Sequence, residues 1–524
     1  MSTKTNLTRR SFIRQVGASG GCAFTALTVL GLLSRSTGHG AELSNLPKIG
    51  DKKNKRVLIL GAGIAGLTTA YELGKLGFDC IILEPRDRPG GRSMTIRRGD
   101  RIVETSGHSQ TCAFDEDQYF NPGPSRFPQW HVTLDYCREL GVEVQPFVNL
   151  NENAFYYGEG NIGPLAGKRV RIREAKTDLR GYTAELLAKV ADQHALDERL
   201  SNEDLEAMLD FLRYEGGLDS SYKYNGSNRR GYKVWPGGGL QEGELDDPYG
   251  LGELLKSGFG KLFHRANEYE YFSQMFTPVG GMDKIPMALA ARLKDKIIYG
   301  AQVTEIRRTN PGARVVYSLK DEKKEITGDF CVCTIPPTIL RRLQTDFSPM
   351  LKNTLNIVPF QNSGKIGLQF KRRFWEEDDR VFGGISWTNL PVGEIWYPSD
   401  GFLGQKGMIT GYYIFGPTSD QLGKMTPEER LEFALKHGEK LHPQYRKELE
   451  SSFSVNWATL PHIEGCLAHF PRAMLKTFYP LLLKPEGELY IAASWASHLG
   501  GWQAGAFEAA RLTVKSIHDR VMSS

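Results

Sequence analysis

Residues 56–92 read RVLILGAGIAGLTTAYELGKLGFDCIILEPRDRPGGR, and this stretch decides the fold. An unbroken apolar run, Val57 to Leu60, enters a glycine turn; a helical pattern comes next, and a second apolar run spans Cys80 to Leu83. Strands buried on both faces of a parallel sheet carry such runs, and the helix between them is a right-handed crossover, so a βαβ unit is predicted. In Gly61-Ala62-Gly63-Ile64-Ala65-Gly66 the first glycine permits the tight turn and the second lets a phosphate approach the backbone. The third lets the helix pack on the strand, which leaves a pyrophosphate at the positive helix N-terminus. Glu84 ends the second strand eighteen residues after Gly66. A carboxylate there accepts both ribose hydroxyls, and no basic residue stands in its place to meet a ribose 2′-phosphate.

The residues after Glu84 separate the longer dinucleotide from the shorter. Arg86-Asp87-Arg88-Pro89 leads into Gly90-Gly91-Arg92, where Gly91 and Arg92 offer further amide and cationic contacts to a diphosphate, consistent with FAD rather than NAD. This pattern resembles the flavin amine oxidase family. The resemblance extends over nearly the whole chain beyond the first 41 residues, through Thr277-Pro278-Val279-Gly280-Gly281-Met282-Asp283-Lys284-Ile285-Pro286, the strand with Val303, Cys333-Thr334-Ile335-Pro336-Pro337, and the block Ile491 to Glu508. It implies an α/β protein: a Rossmann-like FAD-binding domain built from residues 52–110, 276–345 and 471–524, interleaved with an α+β substrate-binding domain. The latter takes 346–470, and 111–275 supplies a substrate-side region with a helical insert. The resemblance further implies that Val303 presents its backbone to the adenine and that Gly501, Trp502 and Gln503 lie against the flavin, Trp502 also bordering the substrate. The chain departs from the family at Ala493-Ser494, where a Gly followed by an acid is usual; the Ser494 hydroxyl then meets the ribityl chain.

Length and composition agree with this organisation. The 524 residues exceed what one core organises, and 40% hydrophobic with 24% charged residues excludes disorder and collagen-like repeats. The net charge is +5, and five bases (Lys4, Arg9, Arg10, Arg14, Arg35) fall in the first 41 residues, which hold no Asp or Glu. Without that segment the charge is zero, which removes support for a nucleic-acid or membrane-surface footprint. Arg9-Arg10, followed by an uncharged but glycine-diluted stretch from Val16 to Leu33, resembles a twin-arginine signal peptide over residues 1–41. A Sec signal or an uncleaved anchor is the alternative. The resemblance implies a bacterial protein, exported folded by the twin-arginine machinery to the periplasm or beyond. The seven cysteines show no zinc spacing, and no metal site is expected. Helices are expected at 131–141, 174–215 and 426–442, the last opened by Thr426-Pro427-Glu428-Glu429. The glycine-rich stretch between Gly216 and Gly252 reads as irregular and part of an entrance. The sequence leaves oligomeric state open, a homo-oligomer included.

Tyr119-Phe120-Asn121-Pro122-Gly123-Pro124-Ser125-Arg126-Phe127-Pro128 resembles the segment by which L-amino-acid oxidases present an arginine to the substrate carboxylate. A guanidinium fork suits that task through two parallel hydrogen bonds. Without the resemblance Arg126 reads as structural, in a proline-bounded turn. Gly383 to Pro391 and then Trp396-Tyr397-Pro398-Ser399 extend it, and Tyr397 would add its hydroxyl to the same carboxylate; alone, it reads as a core aromatic of a strand. Lys365, in a Gly/Ile/Leu strand where a lysine is costly to bury, matches the family lysine that holds a water near flavin N5. His462 and His498 receive no role. The implied reaction is hydride transfer from the α carbon of an L-amino acid to N5, reoxidation by O2 to hydrogen peroxide, and imine hydrolysis to a 2-oxo acid and ammonia. No second dinucleotide fingerprint for an external reductant is present. The rivals are an amine oxidase without carboxylate recognition, an amino-acid 2-monooxygenase giving an amide, and a flavin-bearing redox partner without turnover.

Overall fold

The computed structural model describes residues 43, 46–50, 55–160, 162–193, 200–263 and 270–523. The proposed signal peptide and Cys22 lie outside them. Residues 56–84 form the expected unit: strands Arg56–Leu60 and Asp79–Glu84 flank helix Ile64–Leu76 and pair in parallel. Three more parallel strands complete a sheet in the order Ile297–Tyr299, Asp79–Glu84, Arg56–Leu60, Phe330–Cys333, Leu489–Ile491. The unbroken apolar runs follow from this setting, because both faces are covered. Val57, Ile59, Ile82 and Val332 face Leu67 and Leu73 of the crossover helix and Phe507 and Val514 of the C-terminal helix Gln503–Ser523. Leu58, Leu60, Leu83, Cys331 and Cys333 face the other way, onto Val303, Ile306 and Val315 of a mixed four-stranded sheet.

The second half of the molecule is a seven-stranded sheet in the order Leu449–Asn456, Ser363–Phe370, Gly407–Phe415, Glu394–Tyr397, Gly384–Thr388, Phe155–Tyr157, Arg169–Arg171. Helices form at Val132–Leu140, Ile172–Asp192, Asn202–Gly216 and Pro427–Gly438, and in the last Thr426 and Glu429 make a reciprocal capping box. A buried ion pair, in which Arg430 Nη2 donates to Glu104 Oε2 at 2.8 Å, ties the helix Pro427–Gly438 to the segment after strand Arg101–Val103.

Residues 216–252 include a short hairpin, Tyr232–Val234 with Glu244–Leu245, whose Trp235 is 65% exposed, and none of the stretch lines the central cavity. Leu218 and Tyr224 are buried against Ala184, Ala188 and Leu212 of the two neighbouring helices, while the hairpin and Trp235 are exposed. All six described cysteines are free, and five of them are buried. Among the described residues no helix is long and apolar enough to cross a membrane, and no cluster of three His, Cys, Asp or Glu side chains could hold a metal.

Candidate active site

The glycine turn, the strand ends of the parallel sheet and the near face of the seven-stranded sheet enclose one cavity of about 760 Å³. At its first end the turn geometry gives each glycine a separate reason. Gly61 has φ +111°, and a Cβ there would meet Thr334 Oγ1 at 2.5 Å; a Cβ on Gly66 would stand 1.9 Å from the Gly61 carbonyl oxygen. A Cβ on Gly63 would meet nothing within 4 Å and would project into open space at the helix N-terminus. Ala65 also borders the cavity. Glu84 is buried at its wall: Oε2 accepts from the Ala62 N–H at 2.7 Å and Oε1 from the Arg86 N–H at 3.2 Å. Gln302 and Val303 line the same end.

Along the middle run Gly91, Arg92 and Ser494. Arg92 donates to the Ser494 hydroxyl at 2.7 Å and to the Cys466 carbonyl, and it pairs with no carboxylate among the described residues. Burial lowers its pKa, as it does for a guanidinium held out of water without an anion beside it. The C-terminal helix begins at Gln503 against this region, after Gly501 and Trp502. Gln503 Nε2 donates to Ser93 Oγ at 2.9 Å, while its buried Oε1 has no partner among the described residues.

Arg126 lies at the far end, 8% exposed. Its Nε donates to Asn149 Oδ1 at 3.0 Å, and neither terminal nitrogen has a hydrogen bond among the described residues. Its guanidinium carbon sits 4.2 Å from the Trp396 ring centre and 5.5 Å from those of Tyr271 and Trp502. Aromatic rings hold the guanidinium flat without consuming its donors. Lys365 is buried behind the wall; Nζ donates to the Gly123 carbonyl at 2.6 Å and to Ser125 Oγ at 3.0 Å, both in the segment carrying Arg126. Burial first, and then the charge of Arg126, push its pKa down to about 7.

Tyr397 is not part of this chamber. Its hydroxyl bonds Ser386 Oγ at 2.8 Å and His442 Nε2 at 2.7 Å, and His442 Nδ1 meets Asp379 at 3.0 Å. The physical reason is strand alternation: Glu394 and Trp396 look toward the cavity side, and Ile395 and Tyr397 look away. The neighbour in sequence, Trp396, is the residue that meets Arg126. Sequence reasoning also missed Glu270, Tyr271, Glu394 and Tyr413, all of which line the cavity. Trp502 Nε1 donates to Glu270 Oε2 at 2.6 Å, and Trp396 Nε1 to Glu394 Oε2 at 2.8 Å. The alternation of the Glu394–Tyr397 strand was the one available signal for Glu394. His462 and His498 line the cavity as well, the latter against Tyr479 at 4.6 Å.

These features define a flavoprotein, and comparison with known proteins identifies the class. The profile of the flavin containing amine oxidoreductases matches residues 64–518, and the chain belongs to that family. It is 26% identical over 464 residues to the L-amino acid oxidase bordonein-L of Crotalus durissus terrificus, covering 86% of this chain and 84% of that one. It is 25% identical over 462 residues to the L-amino-acid oxidase of Pseudechis australis, with the same coverage of 86% and 84%. Its fold is similar to that of putrescine oxidase bound to putrescine (TM-score 0.58, 18% identity, 88% of this chain and 99% of that one). It also matches cyclohexylamine oxidase from Brevibacterium oxydans (TM-score 0.60, 17% identity, 90% and 100%). FAD is the cofactor, and the residues fit it: open space at Gly63 for a diphosphate, Arg92 without an acid among the described residues, Glu84 at the strand end, and the unsatisfied Gln503 Oε1.

Proposed function

We propose that the protein oxidises L-amino acids with O2 and water to 2-oxo acids, ammonia and hydrogen peroxide. Bound FAD supplies the chemistry of accepting two electrons with the Cα hydrogen and delivering them to O2. The observation that carries the substrate class is the Arg126 fork, buried in the cavity with both terminal nitrogens unengaged among the described residues. A guanidinium in that state calls for a carboxylate, which simple amines lack. The similarity to L-amino-acid oxidases over most of the chain supports the same reading.

In this reading Arg126 binds the substrate carboxylate and so fixes where the Cα hydrogen points. Trp502 closes the other side of the substrate. Gly61, Gly63, Ala65, Gly66, Glu84, Gly91, Arg92, Val303, Ser494, Gly501 and Gln503 hold the cofactor, Ser494 by way of its bond to Arg92. Lys365, poised near neutrality, braces Gly123 and Ser125 from behind the wall and, as the family resemblance implies, would hold a water near flavin N5. Residues 52–110, 276–345 and 471–524 serve as the cofactor half and 111–275 with 346–470 as the substrate half. Residues 1–41 direct export of the folded, loaded protein by the twin-arginine route to the periplasm or beyond. Exchanging Arg9-Arg10 for Lys-Lys would strand it in the cytoplasm.

The test is peroxide and oxygen stoichiometry with the holoprotein over L-amino acids, their D-forms and the corresponding decarboxylated amines. One 2-oxo acid and one peroxide per O2 with L-forms is the expected result. An amide product, or amines oxidised in preference to amino acids, overturns it.

A further inference from the structure

Two carboxylates share the chamber with Arg126, and the reaction as proposed does not use them. Glu270 and Glu394 both line the cavity. Each is tethered by the indole N–H of a tryptophan whose ring flanks the guanidinium, Glu270 by Trp502 at 2.6 Å and Glu394 by Trp396 at 2.8 Å. An indole N–H orients the Glu270 carboxylate without supplying a counter-charge, and Glu394 lies within Coulombic reach of Lys365. Glu270 pairs with no cation among the described residues. The chamber independently asks for a ligand, since Arg126 is more than nine-tenths buried and its terminal nitrogens face the cavity without partners among the described residues. One end of the occupant is therefore an anion, and one indole's length away the wall is acidic.

We propose, on the footing of the L-amino-acid oxidase reading, that Glu270 and Glu394 form a side-chain subsite that selects L-amino acids bearing a cationic side chain. The methylene stem of such a substrate would lie against Tyr271, Trp387 and Tyr413, which line the same stretch of wall. Its terminal ammonium or guanidinium would then meet the two carboxylates. Selection acts in both directions: a neutral side chain gives Glu270 no counter-charge, and an acidic one is repelled. A competing use of the carboxylates is to hold the α-amino group, which every amino acid carries. That use predicts no preference among side chains.

The test compares kcat/KM of the holoenzyme for L-lysine, L-ornithine and L-arginine with the uncharged, similarly shaped L-norleucine and L-citrulline. L-lysine is expected to exceed L-norleucine, and L-arginine L-citrulline, by about ten-fold or more, as close charge pairs at an interface do. In Glu270→Gln, Glu394→Gln and the double variant, each checked for full flavin absorbance, the lysine-to-norleucine ratio should fall by a similar factor. Norleucine turned over as well as lysine overturns the subsite while leaving the oxidase reading intact. So does a ratio that the flavin-loaded variants fail to move. If amines are oxidised and amino acids are not, both readings fall.

Discussion

Arg126 bears on function most directly of all the single residues. If its fork holds the substrate carboxylate, Arg126→Met should raise the KM for L-amino acids about ten- to a hundred-fold, since hydrogen bonds to charged groups are worth roughly 1.5–3 kcal/mol each. Steady-state kinetics on flavin-loaded protein check this, and an unchanged KM removes Arg126 from the site. Tyr397→Phe should behave in the opposite way. Its hydroxyl belongs to a buried chain with Ser386, His442 and Asp379, so KM should hold while the melting temperature drops by an amount equivalent to about 1–3 kcal/mol. Lys365 gives a pH signature. Its folded pKa of about 7 lies below the usual 10.5, so between those values the unfolded chain binds the extra proton and stability rises with pH. Relative to Lys365→Met, the wild type should gain up to ~1.4 kcal/mol per pH unit between about pH 7 and 10 in denaturant titrations. Parallel curves for the two proteins would remove the depressed pKa. The pair Trp396 and Tyr397 shows what was legible at this scale: the motif located the strand, but one step of register decides which ring meets Arg126.

Elements are more legible in the sequence than contacts, because their signals are local. The βαβ unit, the C-terminal strand, turn and helix, and the capped helix at Pro427–Gly438 all follow from periodicity and turn chemistry within a few residues. Gly66→Ala tests the first of these. The added Cβ would stand 1.9 Å from the Gly61 carbonyl oxygen, so the helix must withdraw from the turn. The variant should purify without its yellow chromophore, read as the ratio of visible to protein absorbance. The stretch 216–252 is irregular apart from a short hairpin, and glycine and charge mark it so without saying where it lies. Its hairpin stands on the surface, away from the cavity.

At the scale of the molecule, the two main sheets meet across the cavity, and Glu104 with Arg430 ties together segments 326 residues apart. Removing one partner strands a buried charge, so Arg430→Met should cost about 3–5 kcal/mol in denaturant titrations. The sequence by itself determined the dinucleotide turn, the family resemblance and the arginine segment, since each is encoded in contiguous residues whose chemistry needs that spacing. Only the tertiary structure decided that Tyr397 turns away, that Lys365 braces the arginine segment, and that Glu270 and Glu394 share a chamber with Arg126. Those facts depend on strand register and on the docking of segments hundreds of residues apart, where packing of the whole core, not local propensity, chooses which side chains meet.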